Sequence, residues 1–217
     1  VLCAMAQVMG TLSRFAQDLM VFTMPEFGYF TISGGLLTGS SIMPQKNNPD
    51  ILELMRARSA LVNSYAAACM EITRGLPSGY NRDLQETKEL FMKGLSVTRA
   101  SIRIARRIVE GLTPDKETLV RGFTPAIFAA DKALSLAASG MPFRDAYDYV
   151  KDNIETLQKT DPTETINAKV HEGAAGGLDF ALLQKRLSDL VGFANTEQVA
   201  YYTAISSLIG HPYPITL

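Results

Sequence analysis

The sequence has no tryptophan, which by itself excludes nothing, and only two cysteines in 217 residues. Cys3 and Cys69 are too few and too widely spaced for a disulfide-stapled secreted scaffold or a cysteine metal site. An excess of charge of either sign is also missing: 21 Lys and Arg stand against 22 Asp and Glu, for a formal net charge of -1. That balance argues against a nucleic-acid binder that works by broad phosphate neutralisation, although it leaves room for a local patch. No apolar run reaches the roughly 18 residues of a membrane-spanning helix. What is present is 47% hydrophobic against 20% charged residues, enough apolar mass for a core and too little charge for a disordered chain. The length allows one or two domains. The chain opens at Val1 in VLCAMAQVMGTLSRFAQDLM with no charged leader ahead of it, so no signal peptide is expected. It reads as a helix already under way, and a fragment of a longer protein is the expectation.

Periodicity predicts helices nearly throughout. Leu2, Met5, Val8, Met9, Leu12, Phe15, Leu19 and Phe22 recur at helical spacing, with Ser13, Arg14, Gln17 and Asp18 on other faces. Pro25 closes that helix. A long connection follows to Pro49, with Gly34, Gly35, Gly39, Pro44 and Pro49 among paired Ser and paired Asn; connections of this kind are usually functional or disordered. Asp50 opens a second helix, DILELMRARSALVNSYAAACMEITRGL, whose apolar residues surround much of its circumference. Partner subunits are the expected cover for it. GPSG-type turn chemistry at 75–79 leads through YNRDLQETK into a third helix reaching Gly111. TPDKE at 113–117 reads as a helix start with Thr113 as cap and Pro114 in the first turn. Helix is then expected up to Gly140, again from about 143 to 158, and last near 195–209, with a break at Thr160 to Pro162. GYFTI at 28–32 is the best strand signal, and it is short. The expected fold is all-α.

The densest chemistry lies in Gly39-Ser40-Ser41-Ile42-Met43-Pro44-Gln45-Lys46-Asn47-Asn48-Pro49-Asp50. Backbone amides, the start of a long helix and the Lys46 ammonium together make a comfortable place for a carboxylate or phosphate. The alternative from the residues alone is a loop whose Ser and Asn side chains cap their own backbone. Glu53 reads equally as a helix-start carboxylate favoured by the dipole. Tyr80, Gln85 and Lys88 read as a polar loop and cap, and His171 as a surface or cap residue.

GSSIMPQKNNPD resembles the signature loop of the fumarase/aspartase superfamily, Gly-Ser-Ser-x-Met-Pro-x-Lys-x-Asn-Pro, and Gln45 before Lys46 resembles the argininosuccinate lyase branch. SRFAQDL with EFGYF, LPSGYNRDLQETK and GMPFRDA point the same way, so the resemblance spans about residues 1–147. It implies a long-helix bundle, with part of the central helical domain over 1–111, the signature loop at about 31–49, a small C-terminal helical domain over 112–217, and the N-terminal domain absent. It implies a reversible β-elimination of argininosuccinate to arginine and fumarate, with neither metal nor organic cofactor, in the cytoplasm, by a homotetramer whose active sites are shared between subunits.

On that resemblance Ser40 is the base, Lys46 and Asn48 hold the substrate carboxylate and Ser41 assists in binding. Glu53 pairs with a histidine that helps handle the leaving group, and Tyr80, Gln85 and Lys88 bind substrate. The histidine is not here: His171 and His211 lie outside the family's motif. The acid-side His and Thr residues belong to the N-terminal domain, so this piece alone is expected to be inactive. Two positions depart from the pattern: Asn47 stands where a second Lys is usual, and Gln17 where a Glu is typical. Two other readings stay open, another lyase of the superfamily such as an adenylosuccinate lyase, and a non-catalytic, crystallin-like protein of the same fold.

Overall fold

The computed structural model describes residues 1–157 and 161–214, in two compact units, Val1–Thr124 and Pro125–Leu217. The first unit is built on three long helices, α1 (Leu2–Phe22), α2 (Asp50–Arg74) and α3 (Glu86–Glu110). α1 lacks Gly and Pro near its end and stops where Thr23 turns its amide and hydroxyl back onto the Leu19 carbonyl, 2.9 and 2.7 Å away.

Two apolar layers join the three helices. In one, Leu2, Met5 and Met9 of α1 meet Val62 and Ala66 of α2, with Phe91 and Leu95 of α3 beside them. In the other, Ala16 and Leu19 meet Leu52 and Met55 of α2 and Ala105 and Ile108 of α3. The order of these contacts makes the arrangement up-down-up: the start of α1 packs on the end of α2, and the start of α2 on the end of α3. Each fully buried Leu, Ile or Met here contributes roughly 1.5–3 kcal/mol. α3 comes close because its inner stripe is small, running Gly94, Thr98, Ser101 and Ala105 before Ile108. A Cβ at Gly94 would stand 2.5 Å from Leu2 Cδ2, so the glycine sets the approach of α1 and α3.

α2 is only partly covered within one chain. Its buried residues form one stripe, Leu52, Met55, Ser59, Val62 and Ala66, while Leu54, Leu61 and Met70 are about half exposed. Ile51, Tyr65 and Cys69 are half-buried beside the layers.

The strand signal at 28–32 becomes β1 (Phe30–Ile32), which pairs antiparallel with β2 (Leu112–Pro114) in register Phe30 to Pro114. This pairing carries the first unit past Gly111 to Thr124. It also corrects the helix start expected at Thr113: Thr113 and Pro114 are strand, and Asp115 is the cap of the short α4 (Lys116–Arg121), accepting from the Thr118 amide at 2.9 Å. That amide, more than any other neighbour, holds the Asp115 carboxyl below its ordinary pKa.

In the second unit α5 (Ala129–Ala138) packs on α6 (Phe143–Asp152), burying Ala133, Ala146 and Val150, with Phe128 buried nearby. α6 stops before the expected 158 because Asn153 ends it and a 3-10 turn, Ile154–Thr156, takes over; residues 158–160 lie outside the described residues. α7 (Pro162–Ala168) is capped by Asp161 and followed by Lys169, which pairs with Asp131 of α5 at 3.2 Å.

The last helix is far longer than 195–209. α8 runs Phe180–Ile209, started by the Asp179 carboxylate accepting from the Leu182 amide at 2.8 Å and ended by Gly210 in the left-handed region. None of its residues is buried. No described helix is long and apolar enough to cross a membrane.

Candidate active site

The connection between β1 and α2 leaves the body, turns, and returns to the start of α2. A 3-10 turn at Gly34–Leu36 and the side chains of Ile32, Leu36 and Leu37 seat its first part on the apolar layer around Leu19, Leu52 and Ile108. At Thr38 the chain changes partner. The Thr38 amide donates to the Asn48 carbonyl and the Asn48 amide to the Thr38 carbonyl, both at 2.9 Å. The Thr38 hydroxyl donates to the Asp50 carboxylate, in the first turn of α2. Residues 39–47 are thus a loop closed at its base.

Inside the loop Ser40 is half-buried, while Ser41 through Asn47 are exposed. The Ser40 Oγ accepts from the amides of Ile42 and Met43 at 3.3 and 3.2 Å. The Lys46 amide closes a turn onto the Met43 carbonyl at 3.0 Å. The two readings of this segment turn out to share one geometry. A serine oxygen that caps its own following amides is a local turn, and the same two N–H dipoles favour the oxygen when it is ionised. Lys46 adds a full charge on the same short loop, and the positive end of α2 begins at its base. Asn48 is half-buried through its part in the bridge. Glu53 is exposed on the first turn of α2 and makes no ion pair among the described residues.

Tyr80, Gln85 and Lys88 form a second group. Gly79, with φ +99, turns the chain into Tyr80, a conformation that side-chain-bearing residues rarely adopt. Gln85 donates to the Tyr80 hydroxyl at 3.2 Å, and all three side chains are exposed, Tyr80 at 76%.

The two groups do not meet within one chain. Thr87, beside Lys88, accepts from the Cys69 thiol on α2 at 3.8 Å, which places this group at the C-terminal end of α2. Asp50 to Cys69 is about 28 Å at 1.5 Å per residue. Ser40 is two residues from Thr38, whose hydroxyl bonds Asp50, so the loop sits at the N-terminal end of α2. Ser40 and the Tyr80 group therefore stand at opposite ends of α2.

Of the other positions, the Gln17 side-chain oxygen accepts from Arg56 of α2, so the amide keeps a bond to the cation that a glutamate would make ionic. Arg56 Nε is buried without a partner among the described residues. His171 is exposed, its carbonyl accepting from Ala174 at 3.1 Å, consistent with a surface turn. The sequence pattern marks Asp50 only as the head of α2 and does not mark Thr38. Thr38 is a lone β-branched residue before Gly39, and only the closed loop reveals what its hydroxyl does.

Known proteins agree with these observations. A lyase family profile matches residues 1–63. Argininosuccinate lyase of Sorangium cellulosum is 44% identical over 187 residues, covering 86% of this chain and 43% of that protein. The Bacteroides thetaiotaomicron argininosuccinate lyase is 34% identical over 198 residues, covering 90% and 44%. The chain thus spans less than half the length of these curated relatives. Among solved structures, an EDDS lyase variant with bound fumarate superposes with a TM-score of 0.60 at 19% identity over 80% of this chain and 36% of that one. A fumarate lyase:delta crystallin from Brucella melitensis gives 0.52 at 20% identity, also over 80% and 36%; likeness at this identity speaks for the fold. With the helical bundle, the loop from Gly39 to Pro49 and these relatives together, the chain belongs to the fumarase/aspartase superfamily, on its argininosuccinate lyase branch.

Proposed function

We propose that the protein carrying this chain is an argininosuccinate lyase, releasing arginine and fumarate by a reversible β-elimination. The observation that carries this reading is the Ser40 hydroxyl, held by two backbone amides in a loop that also bears Lys46 and starts a long helix. An ordinary hydroxyl is a feeble base, and these surroundings lower the cost of its ionised form.

Ser40 removes a proton from the carbon beside a substrate carboxylate. The electron pair moves onto that carboxylate, which becomes a doubly negative aci-acid, and Lys46, Asn48 and the loop amides hold it. The pair then returns to form the double bond as the carbon–nitrogen bond breaks, and an acid outside this chain protonates the departing nitrogen. Ser41 adds a hydroxyl to the carboxylate site. Glu53 orients a histidine supplied from elsewhere in the protein. Closure of the exposed loop over substrate excludes water.

Tyr80, Gln85 and Lys88 bind substrate, but of a neighbouring subunit. Their place at the opposite end of α2 from Ser40 supports this, since Asp50 to Cys69 alone is about 28 Å along the helix. A homotetramer with shared sites, working in the cytoplasm without metal or organic cofactor, completes the proposal. It follows that these 217 residues alone lack turnover. Asn47 removes a cation usual at its position, which leaves a non-catalytic crystallin-like role open as the second reading, while the retained Ser40 and Lys46 argue against it.

The test is fumarate release, followed by ultraviolet absorbance, from argininosuccinate and from adenylosuccinate, with the complete protein and this chain side by side. Release from argininosuccinate by the complete protein alone is expected. Release from adenylosuccinate instead would move the protein to another branch, and none from an intact tetramer would favour the non-catalytic reading.

A further inference from the structure

The loop that carries Ser40 is held to the body in an uneven way. Between Gly39 and Asn47 its backbone bonding among the described residues is internal, Lys46 to Met43, and the Ser40 oxygen bonds only amides of its own loop. Attachment falls on the base. Thr38 uses three groups there: its amide and carbonyl on Asn48, and its hydroxyl on the Asp50 carboxylate. Asp50 in turn belongs to a turn of α2 fixed by Leu52, a fully buried residue whose amide bonds the Pro49 carbonyl at 2.8 Å. The Asp50 carboxylate makes no ion pair among the described residues, so the hydroxyl is its recorded partner. A hydroxyl donating to a carboxylate is stronger than a neutral pair.

From this arrangement we propose that Thr38 and Asp50 form a positioning clamp, which fixes the direction in which the loop leaves the body and so where the Ser40 hydroxyl stands. Neither residue touches substrate. The leverage comes from proximity in the chain, since Ser40 follows Thr38 by two residues and any rotation at the base swings it directly. Misplacing a reacting group by about 1 Å costs on the order of a hundredfold in rate. The backbone bridge alone leaves that rotation free, because a single pair of bonds is a hinge; the hydroxyl-to-carboxylate bond adds the third point. Thr38 is exposed and Asp50 half-buried, outside both apolar layers, so loss of the clamp leaves the helical body intact.

The inference rests on Ser40 being the base, and two readouts on the complete protein keep the claims apart. One is the kcat and KM of fumarate release from argininosuccinate; the other is amide hydrogen exchange of the 39–47 segment. Thr38→Val, which keeps shape and removes the hydroxyl, is expected to lower kcat by about ten- to a hundredfold with KM within about threefold. Loop exchange should rise about tenfold while α2 exchange stays unchanged. Thr38→Ser restores the hydroxyl and should stay within about threefold of the parent kcat. Asp50→Ala should match Thr38→Val, and the double variant should be no worse than either single one. Thr38→Val with kcat and loop exchange both unchanged would overturn the clamp, as would Thr38→Ser losing as much as Thr38→Val. If the parent releases no fumarate, the lyase reading fails, and loop exchange alone then decides whether the clamp exists.

Discussion

The signature loop and the three-helix body that carries it are held by opposite means. α1, α2 and α3 are joined by two layers of buried side chains, with Met9, Leu52, Val62 and Ile108 fully removed from solvent. The loop buries almost nothing, Ile42 being 87% exposed, and is kept by hydrogen bonds at its base and within itself. The difference separates two properties. Burial sets whether the chain folds, and it lies in the helices; polar groups poised for chemistry are left on a segment that contributes little to stability. A loop free of core contacts also remains able to move over a substrate, as lids do.

The largest effect should come from damaging the body. Leu52→Asp puts a charge where no water reaches, and it should leave the chain unfolded by circular dichroism, since the penalty of several kcal/mol rivals a total stability of roughly 5–15 kcal/mol. Leu52→Ala, a gentler version, should cost about 2–5 kcal/mol in urea unfolding. On the loop side, Lys46→Met should leave the melting temperature unchanged and lower kcat/KM of the complete protein about a hundredfold, or ~2.7 kcal/mol. A fall in stability for Lys46→Met would blur the division. Leu190→Ala probes α8, where the side chain is 66% exposed. In the isolated chain it should change stability by less than about 0.5 kcal/mol, and a larger loss would mean that α8 is covered in solution.

The smallest effect concerns pH. The folded pKa of Asp115 is depressed by the Thr118 amide, so its contribution is present above the ordinary value of 3.8 and is lost as pH falls through the folded value. Asp115→Asn should remove that part of the acid sensitivity, read as a melting temperature that varies less with pH below 3.8.

Much of the architecture is written in local chemistry. The spacing from Leu2 to Phe22, Asp50 at the head of α2 and the turn at Gly75–Gly79 all fall where periodicity and turn residues put them. The short strand at Phe30–Ile32 was legible, but its partner was not. Thr113-Pro114 carries strong helix-start residues, and a non-local pairing overrode them. α8 was cut short in the same kind of reading: Gly192, Asn195 and a mixed polar face hide a helix whose real start signal is Asp179. For the candidate site, residue types singled out the loop as a place for an anion, and the roles of individual residues rest on the family resemblance. Spacing in sequence could not tell that Ser40 and Tyr80 stand at opposite ends of α2. Nor could it tell that Thr38 closes the loop, because that depends on where Asp50 lies in space.

The most direct measurement is Ser40→Ala in the complete protein, with fumarate release from argininosuccinate and the melting curve taken on the same preparation. A base confined to a loop outside the core predicts turnover lower by about a thousandfold or more, with the melting temperature and the oligomer unchanged. Turnover within about tenfold of the parent would contradict the assignment of Ser40 and, with it, the place given to chemistry in this fold.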